Sequence, residues 1–122
     1  MQKTRALVVD DSAFMRLLIS DLIAGDGTIE VVGSAANGLE AIEKVHHLNP
    51  EVIILDLNMD QYDGMYAIRR IMEERPTPIF ILSSVGNTNL EPVFEALRHG
   101  AVDYMNKPNR NKSDLIQFLI YQ

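Results

Sequence analysis

Cysteine is absent from the 122 residues, which excludes disulfides, thiolate metal sites and cysteine nucleophiles. Long apolar runs are missing too, and none approaches the roughly 20 residues needed to span a membrane. The N-terminus, "MQKTR", has no apolar segment behind it of the kind that marks a secretory signal, so the default expectation is a cytoplasmic protein without a membrane segment. Basic charge is in short supply: 11 Lys and Arg face 17 Asp and Glu, a net charge of −6. That balance argues against a domain that grips phosphate backbones, so no direct nucleic-acid partner is expected. Arg69, Arg70 and Arg75 form the tightest basic cluster, and they read as a solvated helix face. What remains is ordinary globular composition, 47% hydrophobic and 23% charged, in a chain long enough for one domain with a real core.

Apolar runs and helical periodicities alternate along residues 1–122, which read as a single domain. Strands are expected at Ala6–Val9, Glu30–Ser34, Val52–Leu55, Ile79–Leu82 and, more weakly, Val102–Met105. In the first helical pattern Phe14, Leu17, Leu18 and Leu22 fall on one face. The second opens "NGLE", with Asn37 as N-cap and Glu40 three residues on, and a stripe of Leu39, Ile42 and Val45. Met65, Ile68 and Met72 mark the third. Leu90, Val93, Phe94 and Leu97 mark the fourth, with Pro92 tolerable in its first turn and Gly100 as its stop. A fifth pattern runs from about Ser113 to Tyr121.

Strands alternating with helices predict an α/β fold: a doubly wound five-stranded parallel sheet with helices on both faces. "VIIL" and "IFIL" suit central strands buried on both sides. Right-handed crossovers leave few windings, and the flavodoxin-like order 2-1-3-4-5 is chosen among the common ones rather than read from spacing.

Ligands of such sheets sit beyond the carboxyl ends of the strands. The first run ends on Asp10 and Asp11, the third on Asp56, the fourth on Ser83 and Ser84, and the fifth on Lys107. An aspartate at a strand end is, taken singly, as readily a turn or cap as a functional group. The set is another matter, because caps scattered at random would not gather on one rim. Three acids there cannot all stay ionised unless a cation joins them. Oxygen ligands without His or Cys suit a hard ion, and Mg²⁺ takes one or two carboxylates, several waters and a phosphate oxygen. A phosphoryl group would complete such a site.

"VVDDS", "ILDLNM", the Asp63–Gly64 pair, "ILSS" and Lys107–Pro108 together resemble the receiver domain of two-component response regulators, in order and across essentially the whole chain. The resemblance implies that Asp56 is the phosphorylated nucleophile. It implies Mg²⁺ held by Asp11 and Asp56, by the backbone carbonyl of Asn58, and by Asp10 through water. Lys107 would contact a phosphoryl oxygen. Ser83 would be the switch hydroxyl, Tyr104 the aromatic that turns with it, and Lys107–Pro108 a candidate cis peptide. The implied partners are a sensor histidine kinase as phosphodonor, and an output domain or target protein that reads the face of the fourth helix, fifth strand and fifth helix. Within the family, "VVGSAANGLEAIEKV", "RPTPIFILSS" and "GAVDYMNKP" resemble the N-terminal receiver of chemotaxis protein-glutamate methylesterases. "DDSAFMR" and "NGLEAIEKV" are also shared by stand-alone chemotaxis receivers.

The chain departs from the family in "LNMDQYDG", where Asp60 and Tyr62 replace the usual proline and a frequent methionine; loop drift is the plain reading, since aspartate also suits turns. His46 and His47 are adjacent, about 100° apart on a helix, unlike the i, i+4 pair of a zinc helix, and read as surface. "SDLIQFLIYQ" is apolar on more than one face. It suggests a chain continuing into another domain, a self-association face, or simply an apolar terminus. Two readings of other kinds fit less well. A haloacid-dehalogenase-type phosphatase carries its nucleophile after the first strand in a D-x-D pattern. A flavin-binding domain would place hydroxyls and glycines, not carboxylates, in the first loop.

Overall fold

A computed structural model of the chain describes residues 3–25, 27–57, 59, 63–83 and 90–106. Five strands, β1 (Thr4–Val9), β2 (Ile29–Ala35), β3 (Val52–Asp56), β4 (Ile79–Ser83) and β5 (Asp103–Asn106), pair in parallel in the order β2-β1-β3-β4-β5. The expected α/β fold and winding are therefore found. Four helices lie between them: α1 (Ala13–Ala24), α2 (Gly38–Leu48), α3 (Asp63–Glu74) and α4 (Glu91–Arg98). The fifth helical pattern, at 113–121, lies outside the described residues. No described helix is long and apolar enough to cross a membrane.

Side chains alternate across the sheet, as a pleated strand requires. Leu7, Val9, Ile53, Leu55, Ile79 and Ile81 face the core under α2, α3 and α4, which contribute Ala41, Ile42, Val45, Ala67, Ile68, Ile71 and Ala96. Ala6, Val8, Ile54 and Leu82 face the other way, onto Ile19 and Ile23 of α1. The three central strands are buried along nearly their whole length, which explains their uninterrupted apolar runs. At the edge strand β2 the register slips: Ala6 pairs with Val31 but Leu7 with Gly33, so Val32 is an extra residue.

Three expected helix stripes need correction. Phe14 and Leu17 are 72% and 64% exposed, and α1 instead buries Ile19 and Ile23, with Met15 and Leu22 packed beside them. In α2, Leu39 is exposed while Ala41, Ile42 and Val45 are buried. In α4, Val93 and Ala96 are buried, and Phe94 is turned out. The amphipathic pattern was present in each case, but the buried stripe is rotated toward the sheet. The third pattern holds: Ile68 is buried, with Met65 and Met72 packed against the same core.

Helix ends follow their local chemistry. The Asn37 side chain accepts from the Glu40 amide at 2.8 Å, the expected N-cap. α2 ends on Asn49 in the left-handed region, φ 51. Gly100 stops α4 with φ 119, and a Cβ there would come within 3.1 Å of Met72 Cγ. Between α2 and α3, His46 Nε2 lies 2.8 Å from Glu74 Oε1, and Arg70 of α3 binds the other oxygen of that carboxylate. The Arg70 guanidinium first, then His46, holds the Glu74 carboxyl below its ordinary value. His47 is exposed, in keeping with a solvated surface.

Candidate functional site

The geometry of the sheet brings the acids together. β1 and β3 are neighbours, with Val8 opposite Ile54 and Val9 opposite Leu55. One step further along each strand stand Asp10 and Asp56. Both share the alternation of Val8 and Ile54, so both project on the α1 side of the carboxyl edge. Asp11 follows directly, at the entry to α1. Carboxylate oxygens of Asp10, Asp11 and Asp56 all lie within 4.8 Å of one another. Asp10 and Asp56 are buried and Asp11 is exposed, so the cluster has a closed floor and one solvent-facing side.

The loop carrying Asp10 and Asp11 is fixed by hydrogen bonds. The Asp10 amide donates to Ala35 O at 3.0 Å, continuing the β1–β2 ladder past the strand. The Ser12 amide donates to Asp10 Oδ1 at 2.9 Å, an Asx-type turn, and Ser12 Oγ in turn accepts from the Met15 amide at 3.2 Å as the N-cap of α1. Arg16 Nη1 reaches back along the helix and donates to the Asp10 carbonyl at 2.8 Å. The positive end of α1 also faces the acids, which favours negative charge there. At β3, the Leu57 amide donates to Leu82 O at 3.0 Å and fixes the chain beyond Asp56.

Among the described residues the donor set is three carboxylates with no nitrogen or sulfur ligand, in a partly buried site. Such a set fits a small hard cation such as Mg²⁺, and without a cation three like charges this close repel one another.

Ser83, the last residue of β4, is buried on the rim beside β3. It shares the alternation of Ile79 and Ile81 and so lies on the α4 side of the sheet. Tyr104 pairs with Ile81 across the β4–β5 ladder and packs, partly buried, against the core on that same side. The two candidate switch residues therefore occupy one face, while the acids occupy the other. Asn58, Ser84, Lys107, Pro108 and the departures at Asp60 and Tyr62 lie outside the described residues. Two contributors were not anticipated from sequence, the Ser12 amide and the Arg16 guanidinium. The first had a local signal in the D-x-S spacing, but the second had none.

Comparison with known proteins gives the same picture. The model of the response regulator receiver domain matches residues 6–119. A protein-glutamate methylesterase/protein-glutamine glutaminase of Oceanobacillus iheyensis is 49% identical over 109 residues, covering 89% of this chain and 31% of its own length. One from Archaeoglobus fulgidus is 48% identical over 111 residues, covering 91% and 32%. This chain thus spans about a third of the length of these curated relatives. The crystal structure of the response regulator domain of Thermotoga maritima CheB superposes with a TM-score of 0.85 at 39% identity, covering 98% of this chain and 92% of that one. A Borrelia burgdorferi structure, a CheX-CheY-BeF3-Mg+2 complex, gives 0.81 at 27% identity, with 96% and 87% covered. With the family model spanning nearly the whole chain and the relatives this similar, the chain belongs to the response regulator receiver domain family.

Proposed function

We propose that this receiver accepts a phosphoryl group from a sensor histidine kinase onto Asp56 in the presence of Mg²⁺. The observation that carries the reading is the convergence of Asp10, Asp11 and Asp56 at one strand rim, with Asp56 buried. An Asp56 carboxylate oxygen forms the new bond to phosphorus as the bond to the donor's histidine nitrogen breaks, leaving an acyl phosphate. A carboxylate is a weak nucleophile, so the domain works by position and charge. Asp11, Asp56 and the Asn58 carbonyl, with Asp10 through water, would hold Mg²⁺, which when bound would supply charge to offset the acids and the phosphoryl oxygens. Lys107 contacts a further phosphoryl oxygen.

Phosphorylation adds about two negative charges at the rim. Ser83 is drawn toward the new oxygens and Tyr104 moves into the space it leaves, which biases the surface of α4, β5 and the following helix. That Ser83 and Tyr104 share the α4 side of the sheet supports this route. The output is regulation of a methylesterase domain in chemotaxis, a reading supported by the relatives and by "RPTPIFILSS". The chain by itself performs only self-phosphorylation and dephosphorylation, in the cytoplasm. Incubation with a small acyl phosphate and Mg²⁺ should give an alkali-labile phosphoryl adduct by mass spectrometry, lost with a chelator and in Asp56→Asn. Wild-type protein that stays unmodified would overturn the proposal.

A further inference from the structure

We infer that Arg16 is a positioning residue of the acid site, clamping the main chain that presents Asp10 and Asp11. The inference rests on the cation-site reading above and extends it to a side chain outside the donor set. The bonds that hold Asp10 include its amide to Ala35 O, its Oδ1 from the Ser12 amide, and its carbonyl from Arg16 Nη1. The first two bonds come from backbone groups adjacent to the loop. The third is different, because Arg16 belongs to the second turn of α1 and spans six residues to reach the carbonyl at 2.8 Å. Arg16 is itself half-buried, so the guanidinium is not a freely solvated surface charge. A planar fork on a stiffened stem is suited to fix one carbonyl in direction as well as distance.

The peptide unit it holds is the one joining Asp10 to Asp11. Rotation of that unit would swing the exposed Asp11 carboxylate relative to the buried Asp10 and Asp56. Three oxygens within 4.8 Å must stay together against their own repulsion before any cation arrives. Arg16 acts at the hinge of that arrangement, and it presents no acceptor atom of its own to a cation.

Two roles for Arg16 predict opposite results. If it acted only as a positive charge beside the acids, its removal would tighten Mg²⁺ binding, because a repelling cation is gone. If it acts as a clamp, removal loosens the donor set and weakens Mg²⁺ binding. Calorimetric titration of the whole chain with Mg²⁺ separates them. Arg16→Met is expected to bind about tenfold more weakly, the loss of one charge-assisted hydrogen bond. Arg16→Lys, which can still donate to the carbonyl, is expected within about threefold of wild type. Thermal unfolding of the ion-free proteins monitors the fold. Should Arg16→Met unfold, Arg16→Gln, whose amide is too short to reach, carries the same expectation. Unchanged or tighter binding in the variant lacking the clamp overturns the inference while leaving the cation site standing. Wild-type protein that binds no Mg²⁺ overturns the site reading, and the inference with it.

Discussion

Arg5 ties the first strand to the far end of a helix with both terminal nitrogens of its guanidinium. Nη1 donates to Asn49 O and Nη2 to Leu48 O, each at 2.7 Å, so one side chain satisfies carbonyls that the C-terminus of α2 leaves over. The Arg5 amide donates to Glu51 Oε1 at 2.9 Å, and the Glu51 amide returns a bond to Arg5 O at 2.8 Å. Arg5→Ala should therefore lower the unfolding free energy by about 1–3 kcal/mol, read from urea titration, with no change in Mg²⁺ affinity. A loss below about 0.5 kcal/mol would mean that solvent replaces these bonds at no cost. Arg5 and Arg16 were both invisible in the sequence for the same physical reason: their partners are main-chain carbonyls, which every residue carries. Asp10, Asp11 and Asp56 were legible because a carboxylate ending an apolar run breaks the pattern that buries its neighbours.

Helix α1 shows where periodicity stops being informative. Phe14, Leu17, Leu18 and Leu22 form one apolar series, and Met15, Ile19, Leu22 and Ile23 form another on the same twelve-residue helix. Both satisfy helical spacing, so only the direction of the sheet decides between them. The sheet takes the second, and leaves Phe14 and Leu17 in solvent. Ile19→Ala should thus cost about 2–4 kcal/mol of stability, while Leu17→Ser should fall within about 0.5 kcal/mol of wild type in the same assay. Equal losses would restore the first series as the core face. Strand ends were read short for a related reason. β3 and β4 run on through Asp56 and Ser83, because the hydrogen-bond ladder continues past the last apolar side chain into the polar rim. The weak fifth strand is shifted by one residue to Asp103–Asn106, and Val102 before it is exposed although its amide donates to Ile79 O at 2.8 Å.

The molecule is a sheet whose alternation sorts two sets of candidate residues onto two faces. The order β2-β1-β3-β4-β5 makes β1 and β3 neighbours, and that adjacency turns two separate strand-end aspartates into one cluster. On the other face the same alternation aligns Ser83 with Tyr104 below α4. The fold class was legible from the regular exchange of strand and helix patterns. Strand order was not, since spacing alone fixes no winding, and it is the order that creates the site. On the function proposed above, Asp10, Asp11 and Asp56 act as one cation-binding unit that prepares Asp56 for phosphorylation. Calorimetric Mg²⁺ titration of wild type and Asp11→Ala tests it most directly, because Asp11 is the exposed member and its removal leaves the core untouched. Saturable binding by the wild type, weakened by about tenfold or more in Asp11→Ala at unchanged thermal stability of the ion-free protein, is the predicted result. Equal Mg²⁺ affinity in the two proteins would contradict it.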